Sequence, residues 1–402
     1  MPNQTITAPE GFRSGVAACG IKKDGATDLG LLVADRPCSA AAAFTTNRFC
    51  GAPVVVGREH VRGGRIQAVV ANSGCSNVAT GARGLRDARA MCRLAGAAVG
   101  VDPMLVVPSS TGVIGRFLPM DKVAQGIATA AARLSNSAAA GEAFARAIMT
   151  TDLRPKQACV RLRLGRSRVV VAGCCKGSGM IAPHMATMLA YLTTDAGVPP
   201  AVLRRFLLAA VEQTFNRVTV DECQSTSDTV VLLASGLADN TPVRSATSAD
   251  GRAFAAALYE VCASLAYQIA RDGEGATRVI EVRVRGARTP ADAHQVARAI
   301  AVSPLVKTAV HGGDPNWGRI VQALGTTSAA FDPRKVRVYI GPVCVFRRAE
   351  PVRSVSLASV SRLMKAAHVT VTVELAAGRC ADRVLTCDLS REYVSINADY
   401  TT

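Results

Sequence analysis

The sequence has no long hydrophobic run, although about half of its residues are apolar. Its 402 residues are 49% hydrophobic, yet no segment reaches the ~18 uninterrupted apolar residues that a membrane helix needs. The first residues, MPNQTITAPEGF, lack the basic segment followed by an apolar one that marks a signal peptide. We therefore expect a cytoplasmic protein with no membrane partner, long enough to bury a sizeable core.

Patterned cysteines and histidines are also missing. The thirteen cysteines are scattered with no CxxC pair, and the five histidines show no metal-ligand spacing. An odd, unpatterned cysteine count argues against a disulfide framework, and it favours reduced thiols that pack as small apolar side chains. We expect no metal site and no cofactor.

Aromatic residues are scarce, which bears on the meaning of the strong positive charge. The formal net charge is +17, whereas Phe, Tyr and Trp make up 4% of the chain. Basic proteins often bind nucleic acids, but single-strand binding needs aromatic side chains beside the basic ones. Because the arginines are spread along the whole chain, a general bias of the sequence toward Arg and Ala, or attraction to small anionic substrates, explains the charge better. A nucleic-acid-binding protein stays as a minority hypothesis, for which steeply salt-dependent retention of DNA or RNA would be required.

Helical and strand patterns alternate along the chain, with no internal repeat and no low-complexity linker. This alternation predicts a mixed α/β (α+β) fold of layered helices and sheets. Strands are predicted at 53–57, 65–74, 104–112, 187–196, 229–236, 278–287 and 369–375, with a hairpin over 158–173. Helices are predicted at 84–100, 121–134, 141–149, 199–215, 253–271, 290–302 and 316–323.

Two loops offer groups that could stabilise or bind a substrate. In PSSTGVIG (108–115), Thr111 and Gly112 provide a hydroxyl and an unobstructed N–H after an apolar strand, the two donors that an oxyanion hole uses. In RDGEGATR (271–278), Glu274 lies between two glycines and could bind an amine. Taken alone, the first loop is better explained as an ordinary turn, and Glu274 can equally be a solvated carboxylate in a turn.

The stretch KGSGMIAPHMATML (176–189) raises a candidate nucleophile. Thr187 begins a predicted strand, but no aspartate lies nearby and no histidine is spaced for a catalytic triad. A threonine needs no histidine when it is N-terminal, because its own α-amino group, with a pKa of roughly 7.7–8.0, serves as the base. This role requires cleavage of the Ala186–Thr187 bond, which the residues permit but do not by themselves predict.

Taken in order, these pieces resemble the ornithine acetyltransferase (glutamate N-acetyltransferase) family of arginine biosynthesis. The resemblance covers nearly the whole chain, and several of its blocks are long and unusual in composition. They are GFRSGVAACGIKKDG (11–25), AFTTNRFCGAPV (43–54), NSGCSNVATGARG (72–84), STGVIG (110–115), IMTTD (148–152), KGSGMIAPHMATML (176–189), RDGEGATR (271–278), SPLVKTAVHGGDPNWGRI (303–320) and YVSINADYTT (393–402).

The resemblance implies a self-cleaving enzyme with an N-terminal threonine nucleophile on its catalytic strand. Cleavage between Ala186 and Thr187 would give an α chain (1–186) and a β chain (187–402) that form one catalytic unit. Thr111 and Gly112 map to the family's oxyanion donors. The implied substrate contacts are Thr150, Lys176, Thr187, Glu274, Asn397 and Thr402. The spacing alone predicts a disordered C-terminal tail, whereas the resemblance implies that the tail completes the pocket.

The implied reaction is ping-pong transfer of an acetyl group from N2-acetylornithine to glutamate. Ornithine leaves an acetyl-threonine enzyme, and glutamate then takes the acetyl group to become N-acetylglutamate. Some family members also accept acetyl-CoA as a donor, and two α with two β chains is the expected assembly. An amidohydrolase or aminopeptidase of the same architecture is the alternative, since water can replace glutamate as the acceptor.

The chain departs from the family pattern in one segment beside these motifs and at one residue within the cleavage block. Family members usually carry VDGDTSTND where this chain has VDECQSTSD (220–228), so that Glu222 replaces a glycine. His184 also stands where Asn or Asp is commoner. The nucleophile, oxyanion and substrate-contact motifs are all present, so the resemblance implies an active enzyme.

Overall fold

The computed structural model describes residues 3–22, 25–182 and 188–399. The chain divides into two compact units. The first unit runs up to Asn216 and includes Cys223–Ile269, and the second combines Arg217–Glu222 with the described residues from Ala270 to Asp399. This division differs from the predicted one at 186/187, which concerns cleavage of the chain and stays a prediction.

The first unit is built from one strongly bent sheet and helices on its outer faces. Its strands are β1 Phe12–Ala17, β2 Leu29–Phe44, β3 Arg65–Cys75, β4 Val106–Val113, β5 Lys156–Leu164, β6 Ser167–Lys176, β7 Leu189–Thr194 and β8 Thr229–Ala234. Its helices are α1 Ala52–His60, α2 Gly81–Val99, α3 Met120–Ala132, α4 Ala138–Ala147, α5 Pro200–Gln213 and α6 Ala249–Arg271, whose last residues lead into the second unit.

The sheet folds back on itself along its longest strand. The strand order is β4-β3-β2-β8-β7-β6-β5, with β1 also paired to β2. The first half of β2 pairs with β1 and β3, its second half pairs with β8, and the pairing to β3 shifts between Val33 and Cys38. Side chains from both halves, such as Val107 of β4 and Leu189 of β7, share one buried core. The two halves therefore face each other across that core.

Helices cover the two outer faces of the folded sheet. On one side, Met91 of α2 and Val123 and Ile127 of α3 join the buried core of β2, β3 and β4. On the other side, α5 and α6 meet through an edge-to-face contact of Phe206 and Phe254, with ring centroids 5.2 Å apart. The resulting order is helix, sheet, sheet, helix.

Helix α6 shows that mean hydropathy alone is a poor guide to membrane-spanning segments in this chain. It is the one described helix whose length and composition would suffice for a membrane span. Its buried residues recur every three or four positions along one face: Phe254, Ala257, Leu258, Val261, Cys262, Leu265, Ala266 and Ile269. This one-sided pattern is typical of a helix that packs on a protein core.

The second unit has its own sheet and its own core. Its strands are β9 Val279–Ala287, β10 Arg337–Ile340, β11 Val343–Arg347, β12 Glu350–Pro351, β13 His368–Glu374 and β14 Cys380–Cys387, in the order β12-β11-β10-β13-β9-β14. Its helices are α7 Pro290–Val302, α8 Pro304–Gly312, α9 Trp317–Gly325, α10 Leu357–Met364 and α11 Arg391–Asp399. Residues of α7, α8, α9 and α10 share a buried core with the sheet.

The predicted mixed α/β class is confirmed, and most predicted elements are present. The strand predicted at 53–57 is wrong, because these residues form helix α1. Pro53 lies in the first turn of α1, where its fixed φ favours a helix, and Val54, Val56 and Gly57 are buried while Val55 is exposed. The pattern missed β1, β2, β10, β11, β12, β14, α8 and α10, and spacing alone missed α11, where the tail is helical as far as Asp399.

Candidate active site

Thr111 and Gly112 lie at the end of β4, where close packing of two strands requires a glycine. Strand β4 runs parallel to β3, and Gly112 lies opposite Gly74. Gly112 has φ +126°, and a Cβ at this position would come within 2.4 Å of the Gly74 carbonyl carbon. Both the dihedral angle and the space therefore restrict this position to glycine. Thr111 beside it is buried.

Lys176 reaches the Thr111 hydroxyl from the opposite half of the folded sheet. It ends β6, its side chain is buried, and its Nζ donates to Thr111 Oγ1 at 3.3 Å. A hydroxyl that accepts a hydrogen bond from an ammonium can still donate its own hydrogen to another acceptor. The structure thus brings together two residues that are 65 positions apart in the sequence.

Asp152 holds the backbone at two of the predicted substrate contacts. Its carboxylate accepts hydrogen bonds from the N–H of Thr150 at 3.0 Å and from the N–H of Gly177, the residue after Lys176, at 2.6 Å. It also accepts from Lys156 Nζ at 2.6 Å, and both side chains of this ion pair are almost fully buried. Sequence reasoning missed Asp152 as a site residue, although it ends the IMTTD motif.

The pKa of Asp152 shows which effect dominates around its carboxyl group. Burial by itself raises the pKa of this group, because it removes water from the charged form. The positive charges of Lys156 and Lys176 and the hydrogen bond from Gly177 outweigh this effect and lower the pKa to about 2. Asp152 is therefore a carboxylate at neutral pH.

Asp228 is a second buried carboxyl group, and it contacts the chain next to the predicted nucleophile. It directly precedes β8, is fully buried, and accepts a hydrogen bond on Oδ1 from the Met188 N–H at 2.9 Å. Its Oδ2 has no hydrogen-bond partner among the described residues. Burial raises its pKa well above the ordinary value, which favours the neutral form of the group. Sequence reasoning missed it, although it ends the VDECQSTSD segment.

Glu274 and Asn397, two further predicted contacts, meet within the second unit. Glu274 follows α6 in a tight turn and is almost completely buried. Asn397, on α11, donates from Nδ2 to Glu274 Oε2 at 2.8 Å. Gly275 has φ +68°, and a Cβ there would come within 2.5 Å of the Tyr393 backbone nitrogen. The glycine after Glu274 thus lets the turn lie directly against the C-terminal helix.

Three predicted residues lie outside the described part of the chain. They are Ala186 and Thr187, at the predicted cleavage site, and Thr402, at the C-terminus; His184 lies outside it as well. Thr111, Gly112, Thr150 and Lys176 belong to the first unit, and Glu274 and Asn397 belong to the second. Among the described residues, no group of three or more His, Cys, Asp or Glu side chains is arranged to hold a metal ion.

Comparison with known proteins places this chain within a family along almost its whole length. The ArgJ family profile matches residues 13–402. The chain belongs to the ArgJ family. An arginine biosynthesis bifunctional protein ArgJ of Symbiobacterium thermophilum is 49% identical to it over 399 residues, which is 99% of this chain and 98% of the relative. The protein of the same name from Dehalococcoides mccartyi is 43% identical over 404 residues, covering 100% of this chain and 98% of the relative.

A solved ArgJ structure extends the comparison to three dimensions. The crystal structure of arginine biosynthesis bifunctional protein argJ from Bacillus halodurans is 42% identical in sequence and superimposes with a TM-score of 0.51. The superposition covers 52% of this chain and 98% of that chain. The solved chain therefore corresponds to about half of the present one. All the predicted site residues of this chain fall within the range that the ArgJ family profile matches.

Proposed function

We propose that this protein transfers an acetyl group from N2-acetylornithine to glutamate, as an enzyme of arginine biosynthesis. The observation that carries the proposal is the contact of Lys176 Nζ with the Thr111 hydroxyl, beside Gly112, in a chain that belongs to the ArgJ family from residue 13 to residue 402. A buried ammonium beside two potential oxyanion donors suits a substrate that carries both a carboxylate and an acyl carbonyl.

The proposed reaction has two halves that share one acetyl-threonine intermediate. Thr187 Oγ attacks the acetyl carbonyl, the Thr187 α-amino group accepts the hydroxyl proton, and Thr111 and Gly112 stabilise the negative charge on the carbonyl oxygen. The C–N bond to ornithine breaks and ornithine leaves with a proton. The α-amine of glutamate then attacks the acetyl-threonine, which restores the Thr187 hydroxyl and releases N-acetylglutamate.

The described side chains supply the charges that this substrate requires. Lys176 presents a positive charge for the α-carboxylate, and Thr150 is fixed near it through the shared hydrogen bonds to Asp152. Glu274 presents a negative charge for the side-chain ammonium of ornithine, and Asn397 orients that carboxylate through its hydrogen bond at 2.8 Å. Thr402 is proposed to complete the binding site.

We further propose that the chain cleaves itself between Ala186 and Thr187, because only an N-terminal threonine has its own base. The length of the solved relative supports this. A chain that is covered to 98% yet matches 52% of the present sequence is what a processed family member would show, since 187–402 makes up just over half of the sequence. Two α and two β chains in the cytoplasm complete the proposal.

Intact mass measurement with N-terminal sequencing tests the proposal together with an acetyl-transfer assay. We expect two fragments, the second beginning Thr-Met-Leu-Ala, a native mass twice the 41.8 kDa of one chain, and formation of N-acetylglutamate from N2-acetylornithine and glutamate. Thr187→Ala should stay a single inactive chain. An uncut wild-type chain that still transfers acetyl groups would contradict the nucleophile, and hydrolysis without transfer would indicate an amidohydrolase.

Thr111→Ala tests the oxyanion role separately. Loss of one oxyanion donor typically slows catalysis by ~10²–10³, so this variant should be cleaved and folded but slow. Thr129→Ala is the matched control, since Thr129 is an exposed threonine of α3 whose hydroxyl bonds to the Gln125 carbonyl. Equal rates for the two variants would remove Thr111 from the proposed mechanism.

The word bifunctional in the names of the relatives supports a second activity, for which we propose acetyl-CoA as a further acetyl donor to glutamate. The reaction would pass through the same acetyl-threonine and release the CoA thiol. The measurement is release of free thiol from acetyl-CoA, with and without glutamate. Glutamate-dependent release that Thr187→Ala abolishes would support a shared site, and no release above the uncatalysed rate would confine the enzyme to N2-acetylornithine.

A further inference from the structure

A cavity lined mainly by arginine opens at one end of the sheet in the second unit. Its volume is about 560 Å³. The described residues that line it include one carboxylate, Glu374, and six basic side chains: Arg285, Arg334, Lys335, Arg337, Arg347 and Arg348. We call it the arginine cavity. These residues come from four separate segments, so no stretch of the sequence shows it.

Strand register aligns four of the charged side chains in a row. Arg285 of β9 lies opposite Glu374 of β13, Glu374 lies opposite Arg337 of β10, and Arg337 lies opposite Arg347 of β11. Directly opposed residues point to the same face of a sheet, with neighbouring strands about 4.8 Å apart. The row therefore carries three positive charges and one negative charge along one sheet face.

The positive charges around the cavity outnumber the carboxylates that pair with them. Glu374 lies 3.9 Å from Arg337, and Arg334 pairs with Asp332 at 3.0 Å. Within the described parts of the sequence, no ion pair involves Arg285, Lys335, Arg347 or Arg348. Like charges directly opposite each other on neighbouring strands, as at Arg337 and Arg347, destabilise a sheet. A bound anion would offset this repulsion.

We propose that the arginine cavity binds a small anion with two or more phosphoryl groups, such as a nucleoside triphosphate. Arginine binds phosphate oxygens through two parallel hydrogen bonds and stays charged at any physiological pH. The volume falls in the range of small-ligand sites, roughly 300–1,000 Å³. All six basic side chains are exposed, so an anion can reach them from solvent. The volume of the cavity fits a nucleotide better than a nucleic-acid duplex, whose phosphates continue along the helix axis.

This anion site is separate from the proposed catalytic residues of the same unit. Glu274 precedes the start of β9, whereas Arg285 lies near its end. The seven residues from Val279 to Arg285 span about 20 Å along the strand, six steps of ~3.3 Å. The anion is therefore a different ligand from the amine that Glu274 is proposed to bind, and the inference holds whether or not the protein transfers acetyl groups.

Calorimetric titration of the purified full-length protein with ATP tests the inference at low ionic strength, about 50 mM salt, where screening is weak. We expect saturable binding to the wild type and at least about tenfold weaker binding to Arg337→Glu/Arg347→Glu. The control is Arg204→Glu/Arg205→Glu, which makes the same charge change at two exposed arginines of α5 and should keep the wild-type affinity.

Three further measurements make the result decisive. Arg337→Gln/Arg347→Gln should also lose ATP binding without a lower Tm, since it removes opposed like charges. Inorganic phosphate should bind more weakly than ATP, because it offers a single phosphoryl group. No saturable ATP binding to the wild type would overturn the inference. So would equal losses in both charge-reversal variants, or a single-stranded oligonucleotide that binds where ATP does not.

Discussion

The buried ion pair of Asp152 and Lys156 gives the sharpest test of how the proposed site is held together. Asp152→Asn keeps the shape of the side chain but removes its charge. In the wild type the carboxylate lies 2.6 Å from Lys156 Nζ and also accepts the N–H groups of Thr150 and Gly177. The variant leaves the Lys156 ammonium buried beside a neutral amide, and one of the three hydrogen bonds then faces an NH₂ group that cannot accept it.

Two estimates give the size of the effect. The pKa of Asp152 falls from an ordinary 3.8 to about 2, and a shift of this size corresponds to roughly 2–3 kcal/mol at 1.36 kcal/mol per unit. Removing one partner of a buried pair typically costs about 3–5 kcal/mol, because the other charge stays buried. At about 2–3 °C per kcal/mol for a unit of this size, the Tm should fall by roughly 6–15 °C.

Helix α4 provides a matched control for the Asp152→Asn substitution. Glu142 and Arg146 form a pair with the same i,i+4 spacing and a similar distance of 2.7 Å, but both side chains are about half exposed. Glu142→Gln should lower stability by only about 0.3–0.5 kcal/mol. Thermal unfolding of both variants therefore compares the same chemical change inside and outside the core.

The pH dependence gives an independent check with a defined sign. The pKa of Asp152 is lowered in the folded state, so its contribution to stability is complete above pH 3.8 and is lost as the pH falls toward 2. The Tm difference between wild type and Asp152→Asn should narrow over this range. A Tm loss no larger than that of Glu142→Gln, or a difference that does not change with acid, would refute the reasoning.

Three further substitutions test single structural features. Gly112→Ala places a Cβ about 2.4 Å from the Gly74 carbonyl carbon at φ +126°, so it should lower the Tm and slow acetyl transfer; an unchanged Tm would contradict the close packing. Asp228→Asn should gain in Tm over the wild type as the pH rises above the ordinary pKa of 3.8, because the raised pKa of Asp228 makes the wild type lose stability when the unfolded chain ionises; a Tm difference that does not change with pH would contradict the raised pKa. Glu222→Gly removes the backbone strain of a left-handed residue at φ +60°, which costs about 1–3 kcal/mol. It also removes an exposed ion pair to Arg298 that is worth at most about 1 kcal/mol. The Tm should therefore stay level or rise, and a marked fall in Tm would contradict the strain.

Glu222, which departs from the family pattern, has a left-handed backbone conformation. The resemblance implies a glycine at this position in the family pattern, and a glycine would suit the backbone here, since its φ is +60°. The Glu222 N–H donates to Thr219 Oγ1 at 3.2 Å, and its carboxylate pairs with Arg298 at 2.8 Å. These two contacts offset part of the strain, which explains how the chain keeps the turn without glycine.

Local patterns predicted the elements that have a regular period and clear ends. The hairpin of β5 and β6 and the strands β3, β4 and β13 follow from alternation and turn residues, which act over a few positions. The run PVVVG reads as a strand because its valines favour one, but Pro53 in the first turn and the burial of Val54, Val56 and Gly57 are those of helix α1. Long β2 was missed since its bend and its two sets of partners depend on distant strands.

The sequence by itself determined the family, the mixed α/β class and the candidate residues Thr111, Gly112, Lys176, Glu274 and Asn397, because these lie in contiguous motifs. Only the tertiary structure decided that Lys176 meets Thr111 across two facing sheet halves and that Asn397 meets Glu274. It also revealed the roles of Asp152 and Asp228 and the arginine cavity. Burial and charge density arise from residues that are far apart in the chain, so a pattern read along the chain does not contain them.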